Sequence, residues 1–358
     1  MMTNFDTVIH GGTIATADYL AKGDVGIKDG RIVAVAENLS GGDRRIDAGG
    51  RIVMPGGIEA HAHIAQESSS GVMTADDYLS GSISAAFGGN SSFIPFAAQQ
   101  RGQSVDDVLA TYDARGARSV IDYSYHLIIS DPRPEVLTDE LPRAFQRGVT
   151  SFKVFMTYQG LALSDRQILE VMSVAKAHGA MVMVHAENED AIEFLRDRAE
   201  RTGETAPYHH ATTRPVPVER EATHRAMSLA EIAGVPLTIV HVSNGEATEE
   251  IMRARQRGLT VFAETCPQYI TLTADDLDRD GFEGAKYVCS PPPRTRDEWA
   301  NIWRGIETGV FDLFSSDHCP FRFVDTAGKD APGARQSFRN IPNGIPGVET
   351  RLPILFYE

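Results

Sequence analysis

Two histidines one residue apart, His61 and His63, end the apolar segment "RIVMPGGIEAHAHI". Because side chains at positions i and i+2 of a strand point to the same face, both imidazoles can face one site. Imidazole nitrogens are favoured ligands of Zn²⁺ and similar divalent ions. The polar, serine-rich stretch "AQESSSG" follows, which predicts a loop beside the two histidines.

Four later apolar segments carry further residues that could belong to such a site. They are Lys153 in "TSFKVFM", His185 in "AMVMVHAE", His241 in "PLTIVHVS" and Asp317 in "FDLFSSDH". Each residue alone has an ordinary structural explanation, such as a core histidine, a helix cap or a lysine that extends to solvent. Their shared position at the ends of apolar segments favours a metal site.

Lys153 differs from the other five because an ammonium group cannot coordinate a cation and is disfavoured beside one. A neutral amine could react with CO2 instead. The resulting carbamate would carry two oxygens and a negative charge, so it could bridge two metal ions.

The elements that position these residues are predicted to form a (β/α)8 barrel of the TIM type. After Pro55, apolar segments alternate with amphipathic helical ones, which is typical of parallel strands with helical crossovers. Ser164 and Gln167 form a capping box at the start of one helix, and Gly179 ends it. In such barrels, functional residues lie at the carboxyl ends of the strands. Residues 56–358 are assigned to the barrel.

Residues 1–55 are predicted to form a small β-rich domain. Short alternating segments such as "FDTVIHGGTIATA" and "GDVGIKDGRIVAVA" are separated by Gly-Gly and Asp-Gly turns. This pattern indicates an antiparallel or mixed sheet. The fold class is therefore α/β, a barrel with a small N-terminal β-sandwich portion.

Composition excludes several function classes. The formal net charge of -15 disfavours nucleic acid and anionic membranes as partners. The chain contains no apolar stretch of membrane-spanning length and no signal-peptide pattern at its N terminus. Its three cysteines, Cys266, Cys289 and Cys319, are too few and too scattered for a disulfide framework. A cytoplasmic protein is expected.

The sequence resembles the dihydropyrimidinase/hydantoinase family of the amidohydrolase superfamily. The resemblance runs from about residue 5 to the C terminus and includes "PGGIEAHAH", "VMVHAENED" and "VCSPPPR". The stretches "FKVFMTY", "SDHCPF" and "IPNGIPGVE" are typical of this family more than of the wider superfamily. All three cysteines lie within family-like stretches, which supports an inert role for them.

The resemblance implies roles for the six residues. His61, His63 and Asp317 would bind a more buried divalent metal ion, and His185 and His241 a second one. Lys153, carrying a carbamate derived from CO2, would bridge the two ions. The expected metal is Zn²⁺, and a hydroxide between the ions would be the nucleophile.

The implied reaction is hydrolysis of a cyclic amide, a hydantoin or dihydropyrimidine ring, to an N-carbamoyl amino acid. Tyr158 would stabilise the oxyanion, and Asp317 would pass a proton to the leaving nitrogen. Backbone groups of Ser290 and Asn343 would hold the amide edge of the ring. Without the resemblance, Tyr158 reads as a packing residue, and Ser290 and Asn343 read as turn residues.

The sequence departs from the family pattern at several points. Gln66 and Glu67 make the loop after the first ligands more polar than is usual, which suggests an unusual, polar substituent on the substrate. Glu59 replaces the Asp commonly found two residues before the first ligand. Relatives continue beyond "PGVETRLP", so the chain is expected to be truncated, leaving unpaired edges on the small β domain. His126, which ends the apolar segment "SYHLIIS", and His209 and His210, in the polar loop "PYHHATTRPVP", are expected to have structural roles. His318 follows a ligand and is assigned no ligand role.

Two alternatives stay open at this point. One is a neighbouring cyclic amidohydrolase such as an allantoinase or a dihydroorotase, although the "REPG"-like stretch typical of these enzymes is absent. The other is a non-catalytic scaffold relative or an inactive truncated copy, although all six ligand positions are present. By family analogy the protein is expected to form a homo-oligomer, a tetramer, and to act on a small-molecule substrate.

Overall fold

The computed structural model describes residues 5–68 and 71–357. Contacts divide the chain into two compact units, Met1–Gly57 and Ile58–Glu358. Whether these units behave as separate domains, as predicted for residues 1–55 and 56–358, stays a prediction.

The N-terminal unit contains a five-stranded mixed sheet. Its strands are β1 (Thr7–Ala15), β2 (Leu20–Lys28), β3 (Arg31–Ala36), β4 (Arg44–Asp47) and β5 (Ile52–Val53). The order is β3-β2-β1-β4, with β5 also on β1; β2 is antiparallel to its neighbours, whereas β4 and β5 run parallel to β1. Asp29 and Gly30 connect β2 to β3 with φ values of 50° and 70°, the conformation that an Asp-Gly hairpin turn requires.

The second sheet forms a nearly closed barrel of parallel strands. Its strands are β6 (Gly57–Ala62), β7 (Asn90–Ala98), β8 (Asp122–Tyr123), β9 (His126–Ile128), β10 (Ser151–Phe155), β11 (Met181–His185), β12 (Leu237–Ile239), β13 (Val261–Thr265) and β14 (Leu313–Phe314). Eight of them follow the order β14-β13-β12-β11-β10-β9-β7-β6, and β8 pairs beside β7. A parallel bridge between Ala62 and His318 joins the two ends. The predicted barrel with a small N-terminal β portion is confirmed.

Helices connect the barrel strands. They are α1 (Tyr78–Phe87), α2 (Val105–Gly116), α3 (Leu141–Gln146), α4 (Asp165–His178), α5 (Glu189–Arg201), α6 (His209–Thr212), α7 (Val216–Ala233), α8 (Gly245–Gln256), α9 (Gln268–Thr271), α10 (Asp297–Glu307) and α11 (Arg351–Tyr357). Short 3-10 segments span Ala274–Leu277, Glu283–Tyr287 and Phe338–Asn340, and a π-helical turn, Val136–Glu140, precedes α3. None of the helices in the described residues is long and apolar enough to cross a membrane.

Helix α4 shows how local sequence sets an element. Ser164 caps its N terminus and forms the predicted capping box with Gln167. Gly179 ends the helix with φ 70°, a conformation that glycine adopts without strain. The buried face of α4, which includes Ile168 and Val171, packs into the same apolar core as Phe152 of β10. This packing fixes the strands whose carboxyl ends carry the candidate site.

Candidate metal centre

Three of the predicted ligands meet where the first and last barrel strands come together. His61 lies in β6, His63 directly follows it, and Asp317 follows β14. The Oδ1 atom of Asp317 lies 3.0 Å from Nε2 of His61 and 3.1 Å from Nε2 of His63. One ligand atom from each residue falls within 4.8 Å of the others, and all three residues are buried. This is a donor set that suits a divalent ion.

The other three predicted residues lie beside this group. Lys153 in β10 places its Nζ 2.9 Å from Nε2 of His61. His185 ends β11, and its ring centroid lies 4.4 Å from that of His241, which follows β12. The His241 ring is also 5.5 Å from the His61 ring. The barrel thus brings all six predicted residues to one end of the sheet.

Three of the four imidazoles have one ring nitrogen fixed by a neighbouring acceptor. Nδ1 of His61 lies 2.7 Å from Oε1 of Glu264, and Nε2 of His185 lies 2.7 Å from Oε2 of Glu187. Nδ1 of His63 lies 2.8 Å from Oε1 of Gln66. A ring nitrogen that donates to such an acceptor leaves the opposite nitrogen with a free lone pair, which is how metal-binding histidines are usually oriented.

The surroundings of the His241 ring show whether these residues fit a metal ion. Within the described residues, neither of its buried ring nitrogens has a hydrogen-bond partner. Burial holds the pKa of His241 well below its usual range, so the ring is neutral. A buried, neutral imidazole without a partner is costly unless something binds it. A divalent ion would bind the lone pair of one of these two nitrogens, so the residues fit.

The environment of Lys153 suits a neutral amine. The side chain is 1% exposed, and its Nζ lies over the rings of Phe96 and Phe155, at 4.2 Å and 4.9 Å from their centroids. Burial lowers the pKa of Lys153 to about 8. Lys153 therefore has a larger neutral fraction near neutral pH than an exposed lysine, and the neutral amine is the form that reacts with CO2.

The backbone is strained at three of the predicted site residues. Tyr158, His241 and Asp317 have φ values of 79°, 42° and 49°. Residues other than glycine rarely adopt positive φ, and such strain is concentrated at functional sites. All three residues follow the carboxyl ends of barrel strands.

A cavity of about 670 Å³ opens onto the cluster and includes the three predicted substrate-contacting residues, Tyr158, Ser290 and Asn343. The ring of Tyr158 lies 5.1 Å from that of His185. Oγ of Ser290 lies 3.4 Å from Oδ1 of Asn343, although the two residues are 53 positions apart. The cavity therefore joins the candidate metal ligands to these residues.

Glu59 forms hydrogen bonds to the backbone of both segments that carry the first group of ligands, at the first and the last barrel strand. Its Oε1 accepts hydrogen bonds from the backbone N–H of His61 at 2.9 Å and of Ser316 at 3.1 Å. Nε of Arg351 lies 3.2 Å from its Oε2. A glutamate at this position thus supports both ligand-bearing segments.

The other histidines lie outside the ligand cluster. His126 begins β9, instead of ending an apolar segment as the sequence suggested, and its Nε2 donates to the carbonyl of Ala60. His318 contacts Asp76 at 2.9 Å. His210 lies in α6 and not in a polar loop; it is buried, with Nε2 3.0 Å from Oγ of Ser290. His210 therefore supports a predicted substrate-contacting residue.

Sequence reasoning missed the carboxylates that orient the ligands. Glu187 lies two residues after His185, so the strand period that paired His61 with His63 could have identified it. Glu264 lies in β13, far from His61 in sequence, and nothing local connects the two. Arg214, fully buried, donates to Oε2 of Glu187 at 2.7 Å. Burial opposes ionisation of Glu187, but the charge of Arg214 and the hydrogen bond from His185 lower its pKa.

Replacing Glu187 by Gln is expected to weaken divalent-metal binding by about 10- to 100-fold, because partners of this kind hold a ligand imidazole in place. The variant also leaves Arg214 buried without its counter-ion, so the melting temperature should fall. Competition with a chelating dye measures the affinity. Glu221→Gln, an exposed substitution, is the control. A metal affinity within twofold of the unsubstituted protein would show that Glu187 does not orient His185.

Comparisons with known proteins agree with this geometry. The amidohydrolase family matches residues 52–348. A D-hydantoinase of Ralstonia pickettii is 45% identical over 353 residues, which are 98% of this chain and 76% of that protein. A solved D-hydantoinase structure superposes with a TM-score of 0.94 at 45% identity, covering 99% of this chain and 76% of that one. A dihydropyrimidinase from Brevibacillus agri NCHU1002 gives a TM-score of 0.94 at 40% identity, covering 98% and 76%.

Proposed function

Because this chain belongs to the amidohydrolase family, and within it to the hydantoinases and dihydropyrimidinases, we propose that it hydrolyses cyclic amides. The substrate is a hydantoin or dihydropyrimidine ring, and the product is an N-carbamoyl amino acid. The observation that carries the proposal is the convergence of His61, His63 and Asp317, of which His63 and Asp317 line a cavity large enough for such a ring.

The proposal includes two divalent metal ions, with Zn²⁺ as the expected metal. His61, His63 and Asp317 would hold one ion, and His185 and His241 the other. A carbamate on Lys153 would bind both. The neutral, unpartnered imidazole of His241 and the buried amine of Lys153 support this assignment.

The residues of the chain have separate tasks in the proposed reaction. Bound divalent ions would supply a nucleophile from water at neutral pH and polarise the scissile carbonyl. Tyr158 donates a hydrogen bond to the carbonyl oxygen as negative charge develops there. Burial raises the pKa of the Tyr158 phenol, so it stays protonated and able to donate.

Asp317 moves the proton. Its carboxylate accepts a proton from the attacking water and delivers it to the ring nitrogen as the C–N bond breaks. Backbone groups of Ser290 and Asn343 hold the amide edge of the ring so that the carbonyl carbon faces the metal ligands.

A ring-opening assay tests the proposal. The purified chain, supplied with Zn²⁺ and bicarbonate, is incubated with hydantoin and with dihydrouracil, and N-carbamoyl products are identified by mass spectrometry. Metal content is measured on the same sample, and chelator-treated protein is the control. Ring opening that chelation abolishes is expected, with about two ions per chain. Metal-free protein without activity under these conditions would contradict the proposal and favour a scaffold role.

We propose further that the ring substituent is polar. Several carboxylate and amide side chains are among the residues that line the cavity, namely Glu67, Gln100, Gln159 and Glu189. These groups offer hydrogen-bond acceptors to a substituent that carries N–H or O–H groups. Ser69 and Ser70 of the predicted polar loop lie outside the described residues.

A substrate series is expected to show this preference. For hydantoins substituted at the ring carbon, kcat/KM should be about fivefold higher with a ureidopropyl group than with a benzyl group, since one satisfied hydrogen bond is worth about 1 kcal/mol. Gln159→Leu should narrow the difference, whereas Gln256→Leu, an exposed change on α8, should not. Equal or reversed kcat/KM values would exclude a polar substituent.

The cytoplasmic location and the tetrameric assembly stay proposals. The tetrameric assembly rests on the resemblance of the chain to hydantoinases and dihydropyrimidinases, whereas the cytoplasmic location rests on sequence composition. Size-exclusion chromatography with light scattering measures the assembly.

A further inference from the structure

Lys329 is a fully buried amine away from the metal ligands. Its side chain is 2% exposed. Nζ donates hydrogen bonds to the backbone carbonyls of Val288 and Pro342, both at 2.7 Å. Gly328 allows this placement, because a Cβ there would lie 2.1 Å from the carbonyl oxygen of Arg322. The chain thus turns the amine of Lys329 inward.

The two carbonyls belong to the segments that carry the proposed amide-edge contacts. Val288 lies two residues before Ser290, and Pro342 directly precedes Asn343. The carbonyl of Val288 also accepts the N–H of Gly344 at 3.0 Å. Lys329 is therefore a side-chain link between two segments that approach each other only in the folded protein.

Packing alone does not explain why an amine occupies this buried position. Burying an amine or ammonium is costly, and a methionine would occupy the same space without that cost. Burial lowers the pKa of Lys329 to about 7, and the neutral amine can still donate both hydrogen bonds. The two hydrogen bonds that the amine donates to the carbonyls of Val288 and Pro342 are therefore the property that a methionine could not replace.

We propose that Lys329 is a positioning residue for substrate binding. By holding the carbonyls of Val288 and Pro342, it sets the separation of the Ser290 and Asn343 segments and so the place of the ring's amide edge. This inference rests on the proposed function, because it concerns the same cyclic amide substrate.

Steady-state kinetics of Lys329→Met and Lys329→Gln test the inference on the metal-loaded full chain, with hydantoin as substrate. Losing both donors should raise KM about tenfold and change kcat by less than about threefold, since binding energy and not chemistry is lost. Glutamine keeps N–H donors on a shorter side chain. The KM of Lys329→Gln should therefore lie between that of Lys329→Met and that of the unsubstituted protein. Lys286→Met is the control: Lys286 is partly exposed and lies 2.5 Å from Glu283.

Metal content and melting temperature are measured on the same samples. A merely structural lysine would lower the melting temperature without ordering KM as Met above Gln above Lys. A Lys329→Met KM within twofold of the unsubstituted value would overturn the inference, as would joint loss of fold and metal in both variants. If the unsubstituted chain opens no ring, the proposed function fails and this inference fails with it. If the unsubstituted chain opens the ring and the Lys329 substitutions do not change KM, only this inference fails.

Discussion

Replacing Asp317 by Asn is expected to lower kcat for ring opening by about 10²- to 10⁴-fold, the usual worth of a positioned proton-transfer group. Asn has almost the same shape and tolerates the φ of 49° at this position. Its amide oxygen can still face the metal site beside His61 and His63. The amide cannot accept the proton that must reach the leaving nitrogen.

The measurement combines kcat, metal content and melting temperature. Asp113→Asn is the matched control, since Asp113 is half exposed and pairs with Arg147 at 2.6 Å. The control should keep normal kcat. An Asp317→Asn variant that retains metal and keeps kcat within tenfold would remove Asp317 from the proton pathway.

Replacing Lys153 by Met is expected to lower kcat/KM by at least about 10³-fold, because metal ions contribute several kcal/mol to such reactions. Methionine fills the buried space of Lys153 but cannot form a carbamate. Without a bridging ligand, about one metal ion per chain should remain instead of about two. The side chain lies in β10 among buried strands, so a substitution of similar volume should preserve the barrel.

Labelling with ¹³C-bicarbonate separates the carbamate from other effects. The unsubstituted protein should show a carbamate carbon signal by NMR that the variant lacks. Lys176→Met, on the exposed side of α4, is the control for the loss of a lysine. If unsubstituted, metal-loaded protein shows no such signal, Lys153 acts in some other way than as a carbamate.

Local sequence determined the periodic parts of this protein. Local signals set the bounds of α4, namely the capping box of Ser164 and Gln167 at its start and Gly179 at its end. Alternation along "GGIEAHAH" put His61 and His63 on one face, and the repeated strand-helix pattern predicted the barrel. Since barrel strands are parallel, the residues at their carboxyl ends had to meet.

Tertiary structure decided which residues support the site. Glu264 contacts His61 across 203 positions of sequence. His210 lies against Ser290, and Lys329 bonds to two distant carbonyls. Periodicity assigns a side chain to a face of its own strand or helix. It does not specify which distant side chain lies opposite, because that depends on barrel closure and on the path of long irregular segments such as residues 319–337.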